Sequence, residues 1–137
     1  MTTIDKAALI AAAKDASRNA YVPASNFRVG AAVQLSDDTI VGGCNVENAS
    51  FGLTICGERN AIFHAQAARG QACGGKISVV AIAIYTETSE ATMPCGACRQ
   101  VLVEFAGPDT PVFSACRGET VEKRLGDLLP DAFTFAY

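Results

Sequence analysis

Several classes of protein are excluded by what this sequence lacks. No stretch approaches the ~18 consecutive apolar residues that a helix needs to cross a bilayer, so we expect no membrane-spanning segment. Fourteen Asp and Glu outnumber eleven Lys and Arg, and no run of basic residues forms a stripe that could follow a phosphate backbone. We therefore expect no nucleic-acid partner. His64 is the single histidine and has no serine-centred arrangement around it, so a Ser-His-Asp hydrolase has no support either.

The amino-terminal segment also lacks the features of a secretion signal. It has no basic start, and its apolar run over residues 7–13 is short and flanked by Lys6 and Lys14. We therefore expect a cytoplasmic protein, in which thiols stay reduced. The 137 residues contain no repeat and no linker, and half of them are hydrophobic. They predict a single domain over residues 1–137 that buries roughly two-thirds of its unfolded surface.

Helical and strand patterns alternate along the chain. The predicted helices span 3–20, 56–69, 94–105 and 125–129, and the predicted strands span 27–35, 39–46, 77–85, 111–116 and 118–121. The first two strands flank the turn residues Ser36, Asp37 and Asp38, which favours an antiparallel hairpin. The nearly all-apolar strand 77–85 is typical of a sheet centre. We expect the α/β class, with helices on both sides of one mixed sheet of about five strands, a three-layer α/β/α arrangement.

Three of the six cysteines lie where predicted helices begin. They form Cys56-Gly-Glu58 and, about forty residues later, Pro94-Cys95-Gly-Ala-Cys98. Three thiolates leave the fourth corner of a tetrahedral zinc ion open for water, which is typical of a catalytic site. Glu58 lies two residues after Cys56 and could take a proton from that water.

Each segment alone has a simpler interpretation. A lone Cys-x-x-Cys can be a redox pair, and Cys56 with Glu58 could be a buried thiol beside an exposed acid. A structural zinc or iron-sulfur site would need a fourth sulfur. The candidates, Cys44, Cys73 and Cys116, lack a second spaced cysteine, so Cys44 is interpreted as packing and the others as reduced thiols. His64 is interpreted as an ordinary helix side chain. The combination of the two segments favours catalytic zinc.

The charge of such a site needs compensation. Three thiolates and Zn²⁺ sum to a net charge of −1, which would weaken the ion as a Lewis acid. Positive helix ends can offset this charge, as can arginines that donate hydrogen bonds to the sulfurs. Arg59 and Arg99 each follow a ligand segment, and we expect their guanidinium groups to donate such hydrogen bonds.

The two segments match the zinc deaminase signature, His-or-Cys-x-Glu followed by Pro-Cys-x-x-Cys, in its all-cysteine version. The chain resembles the small, homotetrameric cytidine deaminases that act on free nucleosides. The resemblance extends to the segments that begin at Phe27 and Cys44 and to the Leu128–Phe133 end, so it covers about residues 21–133.

The resemblance implies that Cys56, Cys95 and Cys98 hold one Zn²⁺ per chain and that Arg59 supports them. The implied reaction is hydrolytic deamination of cytidine or deoxycytidine to the uracil nucleoside and ammonia, in pyrimidine salvage. In that reaction Glu58 would take a proton from zinc-activated water, pass it to N3 of the base, and carry a second proton to the departing amino group.

The resemblance also implies the substrate contacts. Asn45 and Glu47 would bond the ribose hydroxyls, Phe27 would pack against the nucleoside, and the backbone N–H of Gly57 would meet the pyrimidine carbonyl. Phe133 would reach into the site of a neighbouring subunit, so that a homotetramer completes each pocket. Two residues apart on a strand, Asn45 and Glu47 face the same side, although a solvated strand end explains them equally well. An inward strand aromatic such as Phe27 is by default core.

Two positions depart from the family pattern. Ala24 stands where many relatives have tyrosine, which puts the packing of that loop at the site or subunit contact in question. Gly57 replaces the commoner alanine and should matter little. An aminonucleoside-antibiotic deaminase or a polynucleotide editor would share the zinc chemistry, and a non-catalytic zinc or redox protein remains an alternative from another class.

Overall fold

One mixed sheet organises the fold in the computed structural model, which describes residues 2–137. Its five strands are β1 (Val29–Leu35), β2 (Ile40–Cys44), β3 (Val79–Thr86), β4 (Pro111–Ala115) and β5 (Thr120–Arg124), in the spatial order β2-β1-β3-β4-β5. The α-helices are α1 (Lys6–Ser17), α2 (Gly57–Arg69), α3 (Gly96–Phe105) and α4 (Leu125–Leu128), and a 3₁₀ turn spans Phe51–Leu53. Within residues 2–137, no helix has both the length and the apolar character needed to cross a membrane.

The strand pairing explains why the sheet is mixed. β1 pairs antiparallel with both β2 and β3, and β4 pairs antiparallel with β5. β3 and β4 are parallel, which requires a crossover connection, and α3 lies in that connection. The predicted hairpin between the first two strands is confirmed, with Asp38 at its turn in the left-handed region at φ 71°.

Side chains that alternate along the strands form two cores, one on each face of the sheet. On one face Leu9 and Ala13 of α1 pack with Ala32, Ala81 and other buried side chains. On the opposite face, the buried cluster contains residues from α2, α3 and α4 together with the other side of the strands; it includes Ala31, Val33, Ile62, Ile82, Leu102 and Leu125. The predicted three-layer α/β/α arrangement is confirmed.

Glycines in the strands let two helices approach the sheet closely. A Cβ atom on Gly30 would lie 1.9 Å from the carbonyl oxygen of Ala13 in α1. A Cβ atom on Gly43 would lie 2.3 Å from the backbone nitrogen of Ala61 in α2. Both distances are far below van der Waals contact, so only glycine permits this docking. The position of α2, and therefore of the residues at its start, depends on Gly43.

The element bounds differ from the prediction mainly at their ends. The first helix was predicted over 3–20 but begins at Lys6, because the Asp5 side chain caps it by accepting a hydrogen bond from the Ala8 N–H at 3.1 Å. The first strand begins at Val29 instead of Phe27, since Asn26 has a left-handed backbone with φ 56°. The last strand lies at Thr120–Arg124 and not at 118–121.

Candidate metal centre and adjoining pocket

The two ligand segments meet because α2 and α3 lie on the same face of the sheet and begin near each other. Cys56 is the residue before the first turn of α2, and Cys95 holds the same position before α3. Both have extended backbones, and the carbonyl of each accepts the first hydrogen bond of its helix, from Asn60 and Arg99 respectively. Cys98 lies in the first turn of α3 and is fully buried. The prediction that both ligand segments lie at helix starts is confirmed.

The three sulfur atoms converge. The Sγ atoms of Cys56 and Cys95 are 3.7 Å apart, those of Cys95 and Cys98 are 3.4 Å apart, and all three lie within 4.8 Å of one another. Zinc–sulfur bonds of about 2.3 Å in a tetrahedron place the sulfurs about 3.8 Å apart. The donor set and its spacing therefore fit a zinc ion with three protein ligands.

The cluster also favours a thiolate. Hydrogen bonding with Cys98, followed by a contact with Arg59, lowers the pKa of Cys56 to about 5. The same contact with Cys56 raises the pKa of Cys98, which therefore acts as the protonated partner when no ion is bound. A thiolate is the form in which cysteine binds metal.

Arg59 supports the sulfurs and Arg99 does not. The Nη2 of Arg59 donates to the Sγ of Cys56 at 3.5 Å, and this contact raises the pKa of the guanidinium. The prediction that Arg99 also donates to a sulfur is wrong. Its Nε donates to the Pro94 carbonyl at 2.7 Å and its Nη1 to the Leu128 carbonyl at 2.8 Å. Arg99 is drawn to Leu128 because the last carbonyls of a helix such as α4 lack partners within the helix.

Glu58, in the first turn of α2, is buried beside the cluster. Its side chain is 4 % exposed, and the removal of water raises the pKa of its carboxyl group. It lines a cavity of about 220 Å³ together with Cys56 and Cys95. A buried carboxyl group with a raised pKa beside the sulfur cluster is suited to proton transfer.

Other residues line the same cavity, and some of them were predicted from the sequence. Phe27, Asn45 and Gly57, for which the resemblance implies substrate contacts, line it. Val29, Thr54, Thr92 and Met93 also line it and were not predicted. Thr54 and Met93 come shortly before the two ligand segments in the sequence. This proximity was the signal that could have identified them as pocket residues.

Asn45 fixes the backbone next to this cavity. Its Oδ1 accepts from the Val29 N–H at 2.9 Å and its Nδ2 donates to the Phe27 carbonyl at 2.8 Å, and the residue is 8 % exposed. One N–H and one lone pair of the amide remain for a ligand. Asn45 therefore shapes the pocket in addition to lining it.

Glu47 faces a second cavity of about 340 Å³, which Thr54 joins to the first. Its Oε1 accepts from the backbone N–H of Ala24 at 2.9 Å and of Ser25 at 3.1 Å, and its Oε2 accepts from the Ser25 hydroxyl. These bonds, with the Ser25 hydroxyl first, lower the pKa of Glu47. Ala24, one of the two positions that depart from the family pattern, thus lies against Glu47 in the wall of this cavity.

Gly57 and Phe133 lie in contrasting places. A Cβ atom on Gly57 would lie 3.1 Å from the Val29 carbonyl oxygen, a contact that needs a shift of a few tenths of an ångström. Phe133 is 73 % exposed and lines a separate cavity with Lys76 and Val103, while its carbonyl accepts from the Gln100 side chain at 3.0 Å. In a single chain, Phe133 therefore does not line the cavity that contains Glu58.

The remaining cysteines stay outside the cluster. Within residues 2–137, Cys56, Cys95 and Cys98 are the group of side chains that could hold a metal ion. Cys44, Cys73 and Cys116 are unbridged, and none joins this group as a fourth sulfur. His64 contacts the Gly42 carbonyl at 2.9 Å and is a helix side chain, as predicted.

Comparison with known proteins identifies a family. The family model described as "Cytidine and deoxycytidylate deaminase zinc-binding region" matches residues 3–114. A cytidine deaminase of Halalkalibacterium halodurans is 44 % identical over 132 residues, which are 96 % of each chain. A cytidine deaminase of Mycobacterium tuberculosis is 44 % identical over 133 residues, which are 97 % of this chain and 92 % of the relative.

Solved structures give the same result. The crystal structure of cytidine deaminase from Burkholderia pseudomallei matches with a TM-score of 0.85 and 47 % identity, covering 95 % of this chain and 100 % of that one. The crystal structure of cytidine deaminase from Mycobacterium tuberculosis matches with a TM-score of 0.80 and 39 % identity, covering 97 % and 100 % of the two chains.

Proposed function

The chain belongs to the family of cytidine and deoxycytidylate deaminases, and on this basis we propose that it converts cytidine, deoxycytidine or both to the uracil nucleoside and ammonia. One observation carries the proposal. Three sulfurs have the spacing that a zinc ion needs, and two of them, those of Cys56 and Cys95, line one cavity together with the buried carboxyl group of Glu58.

Cys56, Cys95 and Cys98 are the residues that would hold one zinc ion per chain. When bound, zinc would supply a water molecule of lowered pKa at its open fourth position. Arg59 would support the site by placing its positive charge against the Cys56 sulfur. The positive ends of α2 and α3, which begin at the ligands, act in the same direction.

Glu58 would move the protons. Its carboxylate would accept one proton from the water that a bound zinc supplies and would deliver that proton to N3 of the cytosine ring, which prepares C4 for addition of the water oxygen. It would then take the remaining proton from the new hydroxyl group on C4 and pass it to the exocyclic nitrogen, so that the C4–N bond breaks, the C4 carbonyl forms and ammonia leaves. Burial raises the pKa of Glu58 and so favours its neutral form, which allows the group to donate a proton as well as accept one.

The pocket would orient the nucleoside by few polar contacts. Phe27 offers its ring to the base, and the backbone N–H of Gly57 lies at the start of α2, where helical N–H groups lack partners. Asn45 has one amide N–H left for a sugar oxygen. Glu47 has both lone pairs of Oε1 occupied and one of Oε2 free, so it can accept from a single sugar hydroxyl.

Assembly would complete the site. We propose a homotetramer in which Phe133 enters the pocket of a neighbouring subunit. The exposure of large apolar side chains in the single chain supports an assembly, since Phe51, Leu53, Phe133 and Phe135 are each more than half exposed. In the cell, we propose a cytoplasmic role in pyrimidine salvage, in which released cytosine nucleosides are returned to the uracil pool.

A substrate panel with metal analysis tests this function. The purified protein is incubated with cytosine nucleosides, their monophosphates and aminonucleoside antibiotics, and ammonia release is followed. We expect release from cytidine or deoxycytidine and one zinc per chain. Activity on the antibiotics alone would support the related antibiotic deaminase instead. A metal-free protein whose Cys95 and Cys98 form a reversible disulfide would support a redox protein.

A further inference from the structure

The segment that carries Phe133 lies on the surface, with little burial to hold it. From Pro130 to Tyr137, all of which the structure describes, no residue is buried, and the rings of Phe133 and Phe135 are 73 % and 69 % exposed. Segments with few buried contacts open and shift at a low cost in free energy. Contacts other than a hydrophobic core must therefore fix the place of this segment.

Two adjacent residues of α3 bind the backbone of this segment. The Nη1 of Arg99 donates to the Leu128 carbonyl at 2.8 Å, and the Nε2 of Gln100 donates to the Phe133 carbonyl at 3.0 Å. The two carbonyls lie on either side of Asp131, whose backbone turns through the left-handed region at φ 52°. One helix therefore holds this turn at both ends.

The contact of Gln100 leaves the ring of Phe133 available. The hydrogen bond uses the main-chain oxygen of Phe133, and the side chain remains largely exposed. Association is weakened by the entropy lost when a mobile segment becomes ordered, and a segment that is already ordered avoids part of that loss. A held backbone with an exposed aromatic ring is therefore suited to entering a pocket on another subunit.

The helix that holds Phe133 also begins at the metal centre. Cys95 precedes its first turn, Cys98 lies within that turn, and the Nε of Arg99 donates to the Pro94 carbonyl at 2.7 Å. A single helix thus connects two of the sulfur ligands with the backbone of Phe133. Its side chains, and not a buried core, make the connection.

We propose that Gln100 is a positioning residue for Phe133, which it holds where the pocket of a neighbouring subunit can receive the ring. The inference rests on the proposed function and assembly. Arg99 fixes the other end of the turn at Leu128. Among the residues that the structure describes, Gln100 does not line the cavity that contains Glu58, so its effect on the reaction passes through Phe133.

The variant Gln100→Met tests the proposal in the zinc-loaded, assembled protein. It keeps the length and neutral charge of the side chain but cannot donate to the Phe133 carbonyl. The KM for the preferred cytosine nucleoside is expected to rise about three- to tenfold, the range for one lost hydrogen bond. kcat should change little, because the sulfurs and Glu58 are untouched. Gln100→Lys, which restores a donor, should recover most of the loss.

A double-mutant cycle separates positioning from a general structural role. If Gln100 acts through Phe133, Gln100→Met should add nothing to the KM of Phe133→Ala, which has no ring to place. Gln71→Met is the matched control, because Gln71 is an exposed glutamine in the turn after α2. It should match the wild type in KM and kcat.

Hydrogen exchange gives a readout that does not depend on activity. Backbone amides of residues 130–137 should exchange faster in Gln100→Met, because the segment loses one of its two ties to α3. Amides of α3 and the zinc content should match those of the wild type, and Gln71→Met should leave exchange of the segment unchanged.

Other results would overturn the proposal. An unchanged KM or an unchanged exchange in Gln100→Met would show that this hydrogen bond does not place Phe133, as would a normal KM in Phe133→Ala. A loss that persists in the Phe133→Ala background, or a joint fall in kcat and zinc content, would show that Gln100 supports α3 instead. In these cases the deaminase function stands. If the wild-type protein releases ammonia from neither cytidine nor deoxycytidine, the proposed function fails and this inference fails with it.

Discussion

The sulfur atoms of Cys56 and Cys95 lie 3.7 Å apart although 39 positions separate the residues in the chain. They meet because each is the residue directly before a helix, and both helices pack on the same face of the sheet. The partial positive charge at both helix starts lies next to the sulfurs, which favours the thiolate form. One arrangement of the backbone thus supplies both the geometry and the electrostatics of the site.

Glu58→Gln should depress turnover while the metal site remains. The amide matches the carboxylate in shape but cannot accept and release a proton, so kcat should fall by ~10²–10⁴. Zinc content should stay near one per chain, because Glu58 contributes no sulfur to the cluster. Initial rates of ammonia release and metal analysis of the same preparation measure the two effects. Glu122→Gln, which makes the same change of charge on β5, is the control and should leave turnover unchanged. Near-normal turnover of Glu58→Gln would refute the proton-transfer role.

Arg59→Gln should weaken retention of zinc. The guanidinium donates to the Cys56 sulfur, and its Nε has no hydrogen-bond partner, so the substitution removes little besides the contact with sulfur. Loss of a partner that supports a metal ligand typically costs ~10–100-fold in metal affinity or activity. Transfer of zinc to a competing chelator measures the change. Arg117→Gln, which removes the same charge from an exposed residue between β4 and β5, should leave zinc transfer unchanged. An unaltered zinc affinity in Arg59→Gln would contradict the role assigned to Arg59.

The sequence predicted the cysteine cluster, Glu58 and the layered sheet because these depend on local patterns. Cysteine at two helix starts and the alternation of strands with helices are both visible in a short window. The contact of Arg99 could not be predicted from a local pattern, because its guanidinium binds the Leu128 carbonyl, 29 positions away in the chain. The ties of Asn45 to Val29 and Phe27 were hidden for the same reason, since they depend on tertiary contacts that no local spacing reveals.

Gly43→Ala should destabilise the fold and disturb the site. The added Cβ would lie 2.3 Å from the Ala61 nitrogen, so α2 must move away from β2 and carry Cys56 and Glu58 with it. Overpacking of this kind costs typically ~1–3 kcal/mol. Thermal unfolding and ammonia release should both report the loss.

Two other glycines provide matched controls for this variant. Gly57→Ala needs a smaller adjustment, since its Cβ would lie 3.1 Å from the Val29 carbonyl oxygen, and it should retain most stability. Gly52→Ala meets nothing within 4 Å and should be neutral in packing. Equal stability of all three variants would show that close docking at Gly43 does not matter.

Asp37→Asn should lower Tm at neutral pH, and the decrease should be smaller at acidic pH. The Arg69 guanidinium, 2.7 Å from Asp37, and the Thr39 N–H hold the pKa of this carboxyl group well below its ordinary value. Because the pKa is lower in the folded state, the ionised carboxylate stabilises the protein at pH values above the unfolded pKa of about 3.9. This stabilisation is lost as the pH falls toward the folded value. The gap in Tm between wild type and variant should therefore narrow below about pH 4.

An exposed ion pair is the control for the pH experiment. Asp15 pairs with Arg18, with both side chains about two-thirds exposed or more, so Asp15→Asn should change Tm little at any pH. A gap for Asp37→Asn that stays constant from pH 7 to pH 3 would show that the charge of Asp37 does not stabilise the fold.

Subunits with different defects should restore each other if Phe133 completes a neighbouring site. Phe133→Ala alone should lower activity, because the exposed ring would no longer enter the adjacent pocket, and Glu58→Gln alone should be nearly inactive. In mixed assemblies, a Phe133→Ala subunit supplies an intact Glu58 and a Glu58→Gln neighbour supplies the missing ring. Co-expressed chains with separate tags, purified as hybrids, should therefore be more active than either parent. Activity equal to the weighted average of the parents, or a monomer in sedimentation, would show that each chain works without its neighbour.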